Sequence, residues 1–289
     1  MYALRAIAAS LLVSACSFSA PATPTDGGVD AADLLDGPPA DSDRDGDGVV
    51  DSVDNCADLA NPGQEDYDAD SHGDACDGCP HLPSAADPDG DHDGVGDACD
   101  PSPSTAGDER VLWEPFDDAA ALGGWRNGTG KLFVVAAGFA RQGDAANGDA
   151  YVESPFSLTG AYVATRVVVR TFNATSTGVA AGICVSAGSG TYACCTVERA
   201  GAGAIASASS SAATPQREAG AVPLATYGTG DAFEIVQDLR TQNACTVSQG
   251  THRTMQTVSP AASTGKVELY TSNGAADFDY LFVVKPAAI

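Results

Sequence analysis

Residues 43–54 read DRDGDGVVDSVD, and the same register returns at residues 66–77 (DYDADSHGDACD) and 89–100 (DGDHDGVGDACD). Numbering each stretch from its first residue puts Asp43, Asp45 and Asp47 at positions 1, 3 and 5, Asp51 at 9 and Asp54 at 12. Asp66, Asp68, Asp70, Asp74 and Asp77 fill the same places in the second copy, and Asp89, Asp91, Asp93, Asp97 and Asp100 in the third. Alternate residues of a tight turn aim their carboxylates at one centre, and calcium takes six to eight oxygens at about 2.3–2.6 Å. Position 7 of such a loop contributes its backbone carbonyl, so Val49, His72 and Val95 are candidate donors whatever their side chains. A ring nitrogen of His72 is a poorer partner for so hard a cation than its carbonyl. Gly48 and Gly94 at position 6 suit the sharp turn; Ser71 replaces glycine there, and strain is expected in the second loop.

The net charge of −25 is concentrated in this region. Residues 41–100 hold 19 acids and one base, Arg44, whereas residues 110–289 hold 14 acids and 12 bases. Such a surface repels phosphates, which excludes nucleic acid as a partner and leaves cations. The apolar groups of the segment are few: Val49, Val50, Val53, Leu59, Tyr67, Leu82 and Val95 are nearly all of them. A segment so poor in apolar groups needs metal and crosslinks in place of a core. Among nine cysteines, Cys56 and Cys76 stand twenty residues apart, as do Cys79 and Cys99, each pair in the same phase around a loop. Pairing Cys56 with Cys76 and Cys79 with Cys99 is expected; a thiolate zinc site on the C-x-x-C of Cys76 and Cys79 is the alternative.

Around the loops, DNCADLANPGQEDYDAD and GDACDGCP resemble the thrombospondin type-3 repeat family, with Ala57 departing from its usual proline. The resemblance covers residues 41–100. It implies an irregular fold in which the chain winds around calcium ions.

The first sixteen residues, MYALRAIAASLLVSAC, place one arginine ahead of an apolar run too short to cross a bilayer. Val13-Ser14-Ala15-Cys16 resembles the signal of bacterial lipoproteins, which implies lipidation of Cys16; Ser17, in place of aspartate, implies an outer-membrane destination. The lipid is then the expected membrane contact. Residues 17–40 are too poor in large apolar groups to fold, and read as a tether.

After a linker at residues 101–110, residues 111–289 change character. KLFVVAAGFA, AYVATRVVVRTF, GVAAGICVSA, TYACCTVER, DAFEIVQDLR, ACTVSQG, THRTMQTV, KVELYTS and DFDYLFVVK read as strands separated by Gly, Ser and Asn turns. The fold class expected is mainly β: an antiparallel sandwich behind an irregular, disulfide-stapled module. GAGAIASASSSAATPQ is low in bulk and reads as a long loop or a weak edge strand. EPFDDAAALGGW and GKVELYTSNGAADFDYLFVVK resemble the first and last strands of concanavalin- or laminin-G-like jelly rolls, where the last strand, here with Phe278, Tyr280 and Phe282, pairs beside the first. That resemblance implies lectin-like binding in many members and a structural or adhesive role in others. Cys194 and Cys195 point to opposite faces of one strand. One should join Cys184 across a hairpin and the other Cys245; which does which is open.

The residues give no enzyme. The E-x-D-x-x-E arrangement of jelly-roll glucanases is missing, His252 stands alone, and Asp117, Asp118, Glu153 and Asp238 read as solvated or turn residues. Trp113, Trp125, Tyr151, Tyr162, Tyr192, Tyr227, Tyr270 and Tyr280 divide between core packing and a sugar-stacking platform. The expectation is an outer-membrane lipoprotein whose calcium-stiffened stalk presents a lectin-like domain for adhesion or for binding polysaccharide. A structural protein that binds a surface protein and an extracellular glycan hydrolase are the competing classes.

Overall fold

β-branched and aromatic residues at alternate positions favour a pleated sheet with one face buried. In the computed structural model, residues 42–287 are described except 145, 147, 174, 177, 189, 202, 212–215, 220–223, 225 and 260–263. The expected signal, Cys16 and the tether lie outside the described residues. In chain order the strands are β1 (Glu109–Glu114), β2 (Arg126–Asn127), β3 (Phe133–Val135), β4 (Ala140–Gln142), β5 (Asp149–Thr159), β6 (Tyr162–Phe172), β7 (Ala180–Gly188) and β8 (Thr191–Ala200). They continue with β9 (Gly203–Ser211), β10 (Gln216–Ala219), β11 (Ala232–Asp238), β12 (Asn243–Gln249), β13 (His252–Val258), β14 (Thr264–Ser272) and β15 (Gly274–Lys285). No helix occurs among the described residues.

The strands form two antiparallel sheets, as expected for a sandwich. The first has the order β13-β12-β11-β6-β15-β4-β3, with β1 also on β15; the second runs β10-β9-β8-β7-β14-β5-β2. Trp113 stands opposite Phe282 and Glu109 opposite Lys285, so the last strand does lie beside the first. The serine-alanine stretch is a strand: Ala204, Ala206 and Ala208 of β9 are buried in the core, and β9 lies inside the edge strand β10. Small side chains there let β9 lie close to β12 and β13 of the facing sheet.

The core lies between the sheets and includes Phe116, Ile183, Leu269, Phe233, Phe278 and Leu281. A shift of register in β15 between Phe278 and Leu281 reverses its alternation. Phe278 therefore points into the sandwich, while Tyr280, Phe282 and Val284 point out of the other face and form a second small core with Cys79, Val95 and Cys99. The acidic module thus lies against the first sheet instead of standing off it. Trp113 packs edge-on to Tyr67, with ring centroids 5.2 Å apart, and its indole N–H donates to Asp74 at 3.0 Å. The Arg110 guanidinium donates to the carbonyls of Ala75 and Asp77, 3.2 and 2.5 Å away. His81 packs its ring among Trp113, Tyr280 and Phe282, and desolvation there lowers its pKa to about 3, so it packs as a neutral ring.

All four disulfides form. Cys56–Cys76 and Cys79–Cys99 match the expected pairing, which rules out the thiolate zinc site. Cys184 joins Cys194, its register partner on β7 and β8, and Cys195 joins Cys245 on β12, tying the two sheets through the core.

Candidate functional sites

Each acidic loop is built by the same hydrogen bonds. Position 1 accepts from the N–H of position 6 at 3.0–3.1 Å (Gly48, Ser71 and Gly94). Position 5 accepts from position 7 through one oxygen and, through the other, from a residue fourteen places on: Asn61 at 2.8, Ser84 at 2.7 and Gly107 at 3.0 Å. The result brings one ligand atom each from Asp43, Asp45 and Asp47 within 4.8 Å of one another, and likewise from Asp66, Asp68 and Asp70 and from Asp89, Asp91 and Asp93. The sharp turn places Gly48, Ser71 and Gly94 in the left-handed region at φ 97°, 82° and 90°. Strain at Ser71 costs about 1 kcal/mol against glycine. Position 4 is left-handed as well, at Gly46, Ala69 and His92, a demand that two non-glycine residues concealed in the sequence.

The position-9 aspartates, expected as ligands, also shape the loops. Asp51, Asp74 and Asp97 each accept the N–H of position 2, at 2.8 Å in all three loops, and clasp the loop shut; among the described residues none is in a three-carboxylate cluster. Of the position-7 residues, Val95 is buried in the second core, and the His72 ring lies 3.3 Å from Asp70.

Positions 3 and 12 test the fit to a cation. Asp45 Oδ2, Asp68 Oδ2, both oxygens of Asp91, and Oδ2 of Asp54, Asp77 and Asp100 are buried without a hydrogen-bond partner. A carboxylate oxygen in that state is costly unless a positive charge faces it. Burial accordingly pushes Asp77 and Asp100 up to about 7 and raises Asp68. The same two positions lack a partner in all three loops, a pattern that fits the ligand set of a divalent cation.

The second site lies on the outer face of the β10–β2 sheet, in a groove of 770 Å³. One row of register partners crosses it: Arg126, Glu153, Glu268, Cys184, Cys194 and Ser209. The next row runs Tyr151, Tyr270, Gly182 and Thr196. Gly182 lets the backbone of β8 approach closely; a Cβ there would lie 2.2 Å from the Cys195 carbonyl oxygen. Tyr192 and Asp149 also line the walls.

Glu153 corrects the reading of a solvated or turn residue. It is 8% exposed in the middle of β5, with Arg126 donating at 2.8 Å and Lys266 Nζ at 3.4 Å, and these partners hold its pKa low against burial. Glu268 opposite has no such pair, and burial pushes it up to about 7. Asp117 and Asp118 are exposed as expected, and Asp238 pairs with Arg240 at 2.7 Å beside a turn. Of the eight aromatic candidates, Tyr151, Tyr192 and Tyr270 line the groove. Trp113 and Tyr280 join the module, Tyr162 packs at the same second core, Trp125 packs on Phe156, and Tyr227 is in the core.

Raising the folded pKa of Glu268 above that of the unfolded chain favours folding most below about pH 4.5; this advantage is lost as pH rises toward 7. Glu268→Gln should therefore raise the melting temperature at pH 8 and leave it nearly unchanged at pH 5. Equal shifts at the two pH values would show that Glu268 ionises freely.

Residues 37–64 match the family model of the thrombospondin type 3 repeat. No curated protein matches the chain in sequence. Among solved structures, similarity extends to a GH43 protein from Bacillus licheniformis at 16% identity and TM-score 0.44, covering 63% of this chain and 40% of that one. A xylan β-1,4-xylosidase from Bacillus halodurans C-125 matches at 12% and 0.46, covering 62% and 40%. A carbohydrate-binding module from Bacillus subtilis matches at 11% and 0.42, covering 54% and 92%. The chain thus spans well under half the length of the two larger proteins.

Proposed function

We propose that this protein is a calcium-dependent carbohydrate-binding protein of the cell envelope, in which ions consolidate the acidic module and the groove holds a glycan. The observation that carries the calcium half is the repeated orphaning of carboxylate oxygens at positions 3 and 12. Bound calcium supplies the positive charge those oxygens lack. Asp43, Asp45, Asp47 and Asp54 would hold it in the first loop, and their counterparts in the other two. Asp51, Asp74 and Asp97 keep the loops closed.

The glycan half rests on the groove. Tyr151, Tyr192 and Tyr270 line it with aromatic rings, while Thr196, Ser209 and Ser210 add hydroxyls, the mixture of apolar and polar groups that sugars require. Among the described residues its acids, Asp149, Glu153, Glu198 and Glu268, outnumber the lining base Arg126 and would repel uronic or sulfated polymers. Neutral polysaccharides are the ligand class. The reading is one of binding without hydrolysis, supported by Glu153, both of whose oxygens face cations. Attachment of the chain through lipidated Cys16 to the outer membrane belongs to the same proposal and is supported by the lipoprotein-like signal.

Binding to a polysaccharide array followed by calorimetry tests it. A neutral glycan should bind, release no sugar on incubation, and lose about tenfold in affinity with Tyr270→Ala, the worth of one stacked ring. Absence of binding to every polysaccharide, or unchanged affinity in that variant, would end the groove reading.

A further inference from the structure

Asp108 falls between the module and β1. Its side chain is 3% exposed; Oδ1 accepts the N–H of Ala287, just beyond β15, at 2.5 Å, while Oδ2 is buried without a partner. The oxygens of Asp93, Asp100 and Asp108 come within 4.8 Å of one another, and the Asp108 N–H donates to Asp93 at 2.7 Å. The Arg240 guanidinium approaches from the turn after β11 and feels the charge of Asp100 and Asp108, but its hydrogen bonds go to Asp238, to the Pro101 carbonyl and to the Ser102 hydroxyl. The repeat spacing of 23 residues puts Ala85 and Pro62 at the matching places of the first two loops, and neither has a carboxylate.

We infer that Asp93, Asp100 and Asp108 form an additional divalent-cation site, which shares Asp93 and Asp100 with the third loop and fastens the module to the sandwich. Asp93 and Asp100 come from the third loop, and Asp108 from the root of the first strand. A hard dication suits three carboxylates with an orphaned oxygen on two of them. Through Ala287 the site also ties down the end of the last strand. With the cation bound, loop, first strand and last strand share one anchor; without it, three acids crowd one small volume and push the module away.

The inference rests on the loops binding calcium, and the test separates the two. The full chain and its Asp108→Asn variant are titrated with calcium alone by calorimetry and melted in calcium and in chelator. Asparagine keeps the Oδ1 that accepts from Ala287, so folding is preserved; circular dichroism checks this. The variant should bind one ion fewer than wild type. It should melt about 4 °C lower in calcium yet higher in chelator, because one of three repelling charges is gone. Equal stoichiometry in the two proteins overturns the extra site and leaves the loops intact. A variant that melts lower under both conditions assigns Asp108 a purely structural role and also overturns it. No calcium binding by wild type overturns both readings.

Discussion

Chelation of calcium from the full chain is expected to expose residues 42–100 to proteases while the sandwich stays folded. The module has seven buried, unpartnered carboxylate oxygens in its three loops, each worth about 1–3 kcal/mol when left unpaired. Its own apolar resources are small: Val95 and the Cys79–Cys99 cystine at the second core, with Val53 and Leu59 largely exposed. Loss of the ions therefore removes more than such a core can replace. Cleavage between residues 42 and 100 should accelerate at least about a hundredfold, the factor for lowering the cost of local opening by some 3 kcal/mol. The β-rich far-ultraviolet signal of residues 109–285 should persist. Mass spectrometry of timed digests in calcium and in chelator reads the difference, and identical fragment patterns would refute a metal-dependent module.

Replacing Cys195 and Cys245 together by alanine should lower sandwich stability by about 4 kcal/mol, as expected for removing a crosslink that spans 50 residues. This bond joins β8 of one sheet to β12 of the other, and both sulfurs are fully buried among core residues. Its removal both frees the unfolded chain and leaves two small voids. Cys184–Cys194 closes only ten residues between strands already paired in register, and its loss should cost about 2–3 kcal/mol. Urea unfolding under non-reducing conditions ranks the two; the opposite order would show that strand pairing, not sheet-to-sheet crosslinking, limits stability.

The acidic loops were legible because a metal site needs fixed residue types at fixed intervals: three copies put the same atoms in the same places. What the residues at 1, 3 and 5 could not reveal is the division of labour at positions 9 and 12. Both are aspartate, but Asp74 accepts the Tyr67 N–H while Asp77 keeps an oxygen bare, and only the turn geometry separates them. Asp108 escaped notice since it lies outside the twelve-residue period. Among the strands, AYVATRVVVRTF announced itself by β-branched residues, but β5, DAYVESPFSLT, was hidden by its Pro155 and its two acids. The groove was invisible for a related reason. Glu153 and Glu268 are 115 residues apart and meet as register partners across β5 and β14, which no local pattern encodes. Docking of the module depends on the reversal in β15, where strict alternation would have put Phe278, Tyr280 and Phe282 on one side.

The two cystines of the module also govern how the protein would behave under tension. Each links residues 20 apart and so withholds roughly 70 Å of chain, at about 3.4 Å per residue, from any stretching force. Even with its ions gone, the segment from Cys56 to Cys99 can yield only a fraction of its contour length. A pull from the N-terminal side would be taken up first by the chain ahead of Cys56, then passed almost directly to β1 and its ladder with β15. The module is then a nearly inextensible link, and the reach of the groove is set by the sequence that precedes the first staple.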